Sequence, residues 1–261
     1  MKKILAIVLA LVTVLSLCAC SKSGSKDGSD LDYIKKNGKL VIGYTVYAPM
    51  NYTDDDGNFV GFDTELATAV CEKLGVTPEF VEIDWNTRYT ELAAKSIDCV
   101  WNGMTLTKEI QDQTACTKAY AKNAQVVVMK KDAAYASTAD LVGKTVTCEA
   151  GSAGQETIEA DESLSQAEMV TKSVQTDCLM EVKAGTADAA VLDLTLASAM
   201  IGEGTDYADL VIVDELNAEE YGVAFRKGSD VAAAVDAIFD ELKTDGTMDS
   251  LAQKYGLTLA D

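Results

Sequence analysis

Alternation of short β-rich runs with helical patterns constrains this chain more than any other feature. From residue 39 onward, runs such as "KLVIGYT" (39–45) and "KTVTCE" (144–149) alternate with helix-like segments such as "TELATAVCEKLG" (64–75), which Asp63 is expected to cap. This order indicates α/β units on largely parallel sheets. Because roughly ten strands would be unusual in one sheet, two smaller sheets are favoured.

The remaining elements follow the same rhythm without a Pro- or Gly-rich linker between two halves. The division is therefore expected at strand crossings. The other predicted strands are 79–83, 98–102, 125–130, 167–172, 188–193, 209–214 and 221–227, and the other helices cover 86–95, 176–185, 229–244, 247–255 and a segment ending near 200.

The N-terminus is typical of a secretory signal. Lys2 and Lys3 precede an apolar run at 4–17 that is too short to span a bilayer comfortably. The stretch "LCAC" resembles the lipobox of bacterial lipoproteins, which predicts a signal peptide over 1–19 and lipid attachment at Cys20. An ordinary cleaved signal is the alternative. Residues 20–30, rich in Ser, Gly and charge, are predicted to form a flexible tether.

Composition excludes several function classes. The chain contains no histidine, so Ser-His-Asp catalysis and His-ligated zinc are absent. Its 42 acidic residues against 22 basic ones argue against a nucleic-acid partner. Five cysteines remain beyond the signal, widely spaced and without a C-x-x-C pair, so neither a metal site nor a cofactor is expected, although one disulfide stays possible.

Ligands of open α/β sheets bind beyond the carboxyl ends of strands. Each residue there has a structural alternative: a cap on the next helix for Asp193, ordinary packing for the aromatic residues, a plain turn for "GSAG" at 151–154, and a solvated surface position for Glu149. The residues that follow predicted strands are Thr45, Val46, Tyr47, Asp84, Trp85, Arg88, Gly103, Thr105, Glu149, Gly151, Ser152 and Asp193. Their mixture suits a small polar or charged solute.

Seven motifs resemble one family. "VGFDTELATAVCEKLG", "CVWNGMTL", "QVVVMKKD", "LVGKTV", "ADAAVLD", "YGVAFRKG" and "KTDGTMDSLAQKYG" occur in the order found in bacterial extracellular solute-binding proteins of family 3. The resemblance covers about 31–256. It implies receptors that feed ABC importers, mostly for amino acids.

The resemblance also implies an architecture: an α/β, two-lobed periplasmic-binding-protein-like fold of type II, with two mixed sheets flanked by helices and joined by two hinge strands. By analogy, lobe 1 comprises 31–121 plus 223–261, and lobe 2 comprises 125–218. The hinges fall at about 121–124 and 219–222. A bound solute would close the lobes, and the permease would recognise the closed form.

Site roles follow residue by residue from the resemblance. Tyr47 and Trp85 match the aromatic pair that sandwiches the ligand, and Asp193 matches the acid that binds the α-ammonium. Glu149 matches a variable position facing the ligand side chain. The remaining matches are Gly103 and Thr105, which offer a carbonyl, a hydroxyl and an amide, and Ser152 and Ala153, whose amides help hold the carboxylate.

The departures leave two ligand hypotheses open. The family's clamp arginine for the α-carboxylate is here Ile110. In the first hypothesis Arg88, one helical turn after Trp85, replaces it, and the ligand is an amino acid. In the second no carboxylate is held, and Asp193 and Glu149 read a cationic amine with help from an aromatic ring.

The expected partners are a small solute, an ABC permease and the cell membrane through the lipid anchor, for a monomeric protein outside the cytoplasm. The protein is not expected to be an enzyme. Two alternatives remain: a sensory receptor without transport, and a dehydratase-like enzyme in which Glu149 acts as a general acid.

Overall fold

The computed structural model describes residues 28–261, so the expected signal peptide (1–19) and Cys20 lie outside the described residues. The expected tether, 20–30, extends two residues too far. Ser29 caps the first helix through its Oγ, which accepts a hydrogen bond from the Asp32 amide at 3.1 Å. Asp30 begins that helix and pairs with Arg226, with Oδ2 and Nε 3.0 Å apart. Both residues therefore belong to the folded body.

The element order follows the predicted alternation. The strands are β1 (Lys39–Tyr44), β2 (Tyr52–Thr53), β3 (Phe59–Val60), β4 (Thr77–Glu82), β5 (Cys99–Thr105), β6 (Ala115–Cys116), β7 (Ala121–Lys130), β8 (Thr145–Glu149), β9 (Glu168–Lys172), β10 (Ala189–Asp193) and β11 (Leu210–Phe225). The α-helices are α1 (Asp30–Asn37), α2 (Phe62–Leu74), α3 (Arg88–Ala94), α4 (Lys108–Gln113), α5 (Ala153–Ala160), α6 (Gln175–Ala184), α7 (Leu194–Met200), α8 (Val231–Thr244) and α9 (Thr247–Tyr255). Short 3₁₀ turns cover Trp85–Thr87, Thr138–Leu141 and Leu164–Gln166.

The α/β, two-lobed fold is confirmed. Lobe 1 is built on the parallel strands β4, β1 and β5, and lobe 2 on the parallel strands β10, β8 and β9. The long antiparallel strands β7 and β11 lie between them, which makes both halves mixed. Within the described residues, hydrogen bonding therefore runs without a break through the order β4-β1-β5-β11-β7-β10-β8-β9, so the two expected sheets are halves of one.

The segments 209–214 and 221–227 were predicted as separate strands, and this was wrong. They are parts of the 16-residue strand β11, which pairs with β7 from Leu210–Lys130 to Tyr221–Ala121. The intervening "ELNAEE" (215–220) resembles a loop because it is mostly polar. Its backbone nevertheless finds hydrogen-bond partners in β7, a distant segment of the chain, so the ladder is satisfied where the side-chain pattern gives no signal.

Helix α2 begins earlier than predicted, at Phe62, and Asp63 does not cap it. Gly61 occupies the N-cap with φ of 133°, and a Cβ there would lie 2.1 Å from the Met50 carbonyl oxygen. Only glycine fits so close to that backbone. Asp63 therefore falls within the helix and turns inward, where its side chain is buried.

The apolar core follows the long strands through both lobes. Large side chains fill it. The residues of β7 and β10 are almost all buried, whereas β11 is fully buried over its last part, from Tyr221 to Phe225. No helix within residues 28–261 is both long and apolar enough to cross a bilayer.

Candidate functional site

A small cavity lies between the lobes where three strands end. Thr105 is the last residue of β5, Glu149 of β8 and Asp193 of β10, and all three reach its wall. The cavity volume is about 20 Å³, room for about one water molecule. This is far below the roughly 300 Å³ of small-molecule sites, so the cavity walls must move apart to admit a ligand. The cavity is lined by Tyr47, Trp85, Asn102, Gly103, Thr105, Glu149, Ser152, Ala153, Gln175 and Asp193.

Eight of the nine residues expected to contact the ligand line this cavity, and Arg88 does not. A wider groove of about 1110 Å³ lies beside the hinge strands. We place the site in the smaller cavity, because the buried acids and the aromatic rings converge there. The two spaces meet at Thr105 and Ala153, which line both.

Lobe 1 contributes aromatic surface. Trp85 and Tyr47 are both buried, and the Tyr47 hydroxyl lies 2.6 Å from that of Tyr221 on β11. Gly103 has φ of 54°, and a Cβ there would lie 2.8 Å from Tyr47 Cε1. A glycine at this position therefore lets the Tyr47 ring pack directly against the end of β5.

The buried side chain of Asp63 contacts the same end of β5. Its Oδ2 accepts hydrogen bonds from the Gly103 amide at 2.6 Å and from the Tyr120 hydroxyl at 2.9 Å. Burial raises the pKa of Asp63 to about 7, although both hydrogen bonds oppose that rise. A charged or neutral carboxyl here fixes the backbone of Gly103 at the cavity wall.

Asn102 is a cavity residue that sequence analysis missed. Its Oδ1 accepts from the Thr45 amide at 3.0 Å and the Thr45 hydroxyl at 2.7 Å, and its Nδ2 donates to Thr45 O and Asn51 Oδ1, both at 2.8 Å. All of its polar atoms are thus used to shape the loop after β1. The signal was available, since a lone Asn in the apolar run "DCVWN" needs partners when buried.

Lobe 2 contributes charge, centred on Asp193. Its Oδ1 accepts from Asn123 Nδ2 at 2.8 Å and Gln125 Nε2 at 2.5 Å, and Gln175 Nε2 donates to its Oδ2. The Asp193 amide donates to Gln175 Oε1 at 3.0 Å. Burial and then the charge of Glu219 raise the pKa of Asp193 to about 8. The side chain makes no capping bond to α7, so the alternative of a simple helix cap fails.

Glu149 is a second buried acid of the cavity, only 4% exposed. Burial first and the charge of Asp193 second raise the pKa of Glu149 to about 8, while the charge of Arg88 opposes the rise. Its Oε1 has no hydrogen-bond partner. The alternative of a solvated surface acid is therefore wrong, and Glu149 offers a free acceptor to the cavity.

Glu219 is a third acid, which sequence analysis placed only in a hinge. Its Oε1 accepts from Thr105 Oγ1 at 2.6 Å, Asn123 Nδ2 at 2.6 Å and Gln125 Nε2 at 2.9 Å. Each amide nitrogen of this pair thus donates to both Glu219 and Asp193. No sequence motif marked Glu219, because the contact depends on the pairing of β11 with β7.

Ser152 caps helix α5 at the edge of the cavity. Its Oγ accepts from the Gln155 amide at 3.2 Å and donates to Glu149 O at 2.8 Å. The Ser152 amide donates to the same Glu149 carbonyl at 3.3 Å. The loop thereby fixes both Ser152 and the backbone of Glu149.

Arg88 lies beside the cavity and joins the lobes. Its Nη1 donates to Trp85 O at 2.7 Å and its Nη2 donates to Gly151 O of lobe 2 at 3.1 Å. Its guanidinium carbon lies 5.0 Å from the ring centroid of Trp85 and 4.5 Å from that of Tyr89. Ile110, at the usual clamp position, is buried in an apolar cluster with Trp85 and Met104. Neither side chain lines the cavity.

The charge balance of the wall is one-sided. Among the described residues that line the cavity, two are acids and none is basic. A positively charged solute would relieve the repulsion between these acids, and the two rings would offer their faces to it. No cluster of three or more metal-ligating side chains occurs within residues 28–261.

Comparisons with known proteins agree with this geometry. The family model "Bacterial extracellular solute-binding proteins, family 3" matches residues 40–258. The arginine-binding extracellular protein ArtP of Bacillus subtilis is 33% identical over 260 residues, covering 98% of each chain. An ABC uptake transporter substrate-binding protein from Streptococcus pneumoniae with bound histidine superposes with a TM-score of 0.79 at 30% identity, over 88% of this chain and 97% of that one.

A third similarity concerns the enzyme alternative. The ancestral amino acid-binding protein AncCDT-1, described as a precursor of cyclohexadienyl dehydratase, superposes with a TM-score of 0.78 at 32% identity, over 87% of this chain and 99% of that one. It too is described as a binding protein.

Proposed function

This chain belongs to the bacterial extracellular solute-binding proteins of family 3, and we propose that it captures a cationic amino acid or a related amine outside the cell and delivers it to an ABC importer. The ligand would bridge the two lobes and hold them closed, and the permease would engage the closed form. The protein acts in this proposal as a receptor and catalyses no reaction.

One observation carries the choice of a cationic solute: the cavity wall presents Asp193 and Glu149 without a basic residue. Both carboxyls are buried, so their desolvation is compensated best by a ligand that brings positive charge. The arginine-binding relative ArtP is consistent with this charge preference.

In the proposed complex, different residues of the two lobes contact different groups of the ligand. Asp193 binds the ammonium group, and Glu149 faces a second polar or cationic group. Tyr47 and Trp85 pack on the two faces of the ligand. The remaining contacts are the carbonyl of Gly103, the hydroxyl and amide of Thr105, and the amides of Ser152 and Ala153.

The proposed lobes are 31–121 plus 223–261 for lobe 1 and 125–218 for lobe 2. The proposed hinges, 121–124 and 219–222, are hydrogen-bonded to each other, with Ala121 opposite Tyr221 and Ala124 opposite Ala218. Two paired strands bend together more readily than they separate, so the hinge favours rotation of one lobe toward the other.

A second candidate ligand is an amine that lacks the carboxylate. The observation that favours it is the position of Arg88, whose Nη atoms already donate to Trp85 O and Gly151 O. For Arg88 to clamp a carboxylate it would have to give up at least one of these bonds. Its Nε has no partner, which leaves one donor for such a role.

Comparing the affinities for L-arginine and agmatine distinguishes an amino-acid ligand from an amine ligand, because agmatine is L-arginine without the α-carboxylate. Isothermal titration calorimetry of the soluble protein from residue 21 onward measures both. Tighter binding of L-arginine, lost in Arg88→Ala, supports an amino acid held by Arg88. Binding of agmatine alone supports the amine, and binding of neither, nor of L-lysine, L-histidine or cadaverine, overturns a cationic ligand.

Transport and anchoring need separate tests. Uptake of radiolabelled ligand by cells should fall when the gene is deleted, whereas a purely sensory receptor leaves uptake unchanged. Lipid attachment at Cys20 predicts that Cys20→Ala protein is released into the medium. Intact-mass measurement of the wild-type N-terminus would show an unmodified cysteine if the anchor is absent.

A further inference from the structure

Asp193 and Glu219 are two carboxylates held face to face by the same two amides. Asn123 Nδ2 donates to Asp193 Oδ1 at 2.8 Å and to Glu219 Oε1 at 2.6 Å. Gln125 Nε2 donates to the same two oxygens at 2.5 Å and 2.9 Å. Each amide nitrogen donates one hydrogen bond to each carboxylate. The uncharged side chains of Asn123 and Gln125 thus form a bridge between the two acids.

The bridge spans the proposed hinge. Asp193 lies opposite Gln125 across β10 and β7, and Glu219 lies opposite Asn123 across β11 and β7. Asn123 and Glu219 belong to the proposed hinge strands, and Gln125 and Asp193 belong to lobe 2. From lobe 1, Thr105 Oγ1 donates to Glu219.

The surroundings give this pair little positive charge. Glu149 on β8 faces Asp193, and Tyr47 after β1 and Tyr221 on β11 are the other titratable groups near it. Arg88 on α3 acts mainly on Glu149 and donates to backbone carbonyls. Gln175 and the two bridging amides are the nearest donors, and all are neutral.

We propose that Glu219 makes Asp193 a proton-exchanging site: the ligand-free Asp193 carboxyl holds a proton beside the Glu219 carboxylate, and the ligand's ammonium group displaces that proton on binding. The O–H bond of Asp193 breaks and its proton passes to solvent. The ligand cation then compensates the negative charge of the ionised Asp193 at the cavity wall. This inference rests on the proposed function.

Three observations support the exchange. The Asp193 side chain is buried, which disfavours its charged form. Glu219 is the charged group with the largest effect in raising its pKa, to about 8. Finally, the unpartnered Oε1 of buried Glu149 lies on the same cavity wall and leaves room for a donor from the ligand.

The first test is calorimetry at pH 7 with L-arginine or agmatine, whichever binds, in buffers of different ionisation enthalpy. We expect release of about one proton from Asp193 per ligand bound, and up to one more from Glu149 where the ligand binds that acid in its ionised form. Affinity should fall about tenfold per pH unit below 8 for each proton released. Binding without proton release overturns the proposal while leaving the proposed function intact. Absence of any binding overturns both.

Matched variants assign the proton. Glu219→Gln keeps the shape of the side chain and removes its charge, so proton release at pH 7 should fall by about one relative to the wild-type protein. Glu149→Gln removes the other nearby acid and should leave release through Asp193 in place. If release persists in Glu219→Gln and disappears in Glu149→Gln, then Glu149 exchanges the proton and the proposal is wrong.

A titration of the ligand-free protein tests the effect of Glu219 on Asp193 independently of ligand binding. The ¹³C carboxyl resonance of Asp193 should titrate near pH 8 in the wild-type protein and at lower pH in Glu219→Gln. A midpoint near that of an ordinary aspartate, about 4, in the wild-type protein would overturn the proposal even if ligands bind.

Discussion

The two lobes build opposite halves of one cavity. Lobe 1 presents Tyr47, Trp85 and the end of β5, and its buried acid, Asp63, is turned away to hold Gly103. Lobe 2 presents Asp193 and Glu149 themselves. The same residue type is thus used for support in one lobe and for recognition in the other, so shape selectivity and charge selectivity reside in different lobes.

The largest expected effect comes from the charged half. Asp193→Asn removes the acid that faces the ligand cation, and should weaken binding about 30- to 1,000-fold, as for loss of one partner of a buried charge pair. Calorimetry measures the change, and Asp132→Asn, an exposed acid, is the control. Equal losses in both variants would mean that bulk charge, not the cavity, attracts the ligand.

The two halves should also differ in how pH affects stability. The folded-state pKa values of Asp63 (about 7) and of Asp193 and Glu149 (about 8) exceed the unfolded values of about 4. The folded protein therefore holds more protons than the unfolded chain. The free energy of unfolding of the ligand-free protein should fall between pH 5 and pH 8, by about 1.4 kcal/mol per pH unit for each of these acids until its folded-state pKa is reached.

Chemical denaturation at both pH values measures this change. Saturating ligand should offset the loss of stability that comes from the acids of lobe 2, because the ligand binds the ionised acids more tightly. Asp63→Asn should remove only the loss of stability that comes from lobe 1. A ligand-free protein that gains stability from pH 5 to pH 8 would contradict the raised pKa values.

A smaller, pH-independent effect is expected in the aromatic half. Trp85→Ala removes a ring face and should weaken binding of a cationic ligand about tenfold, the range of a buried cation–π contact. Trp85→Phe retains a ring and should recover most of that loss. The comparison is made at pH 6 and pH 8, and a loss that depends strongly on pH would show that Trp85 acts through the acids.

The smallest effect is expected where Arg88 of lobe 1 contacts Gly151 of lobe 2, which we call the seam between the lobes. A Cβ on Gly151 would lie 2.9 Å from Asn86 Oδ1 and 3.3 Å from Arg88 Nη1. Gly151→Ala should therefore speed ligand dissociation about fivefold, the low end of overpacking costs, since exposed Asn86 can rotate. Gly143 has the same φ of 70° but no neighbour within 4 Å. Gly143→Ala measures backbone strain alone, and equal dissociation rates would show that the seam does not limit release.

Much of the site could be predicted because strand ends are visible in the sequence. Thr105, Glu149 and Asp193 each terminate an apolar run, and the carboxyl ends of strands converge in α/β folds. Gln175 was missed because no distinctive spacing marks it, and Asn102 was missed although an Asn buried in an apolar run needs hydrogen-bond partners. Arg88 was expected to share a face with Trp85, but its long side chain passes the cavity and reaches the Gly151 carbonyl.

The sequence alone determined the α/β class, the family and the residues at the strand ends, because apolar periodicity and local motifs are properties of neighbouring residues. Only the tertiary structure decided that β11 pairs with the whole of β7, that Ile110 packs into the core, and that Glu219 lies against Asp193. Those outcomes depend on contacts between distant segments, such as Asn123 and Glu219, which are 96 residues apart. No local pattern encodes such distances, and the register of the paired strands sets them.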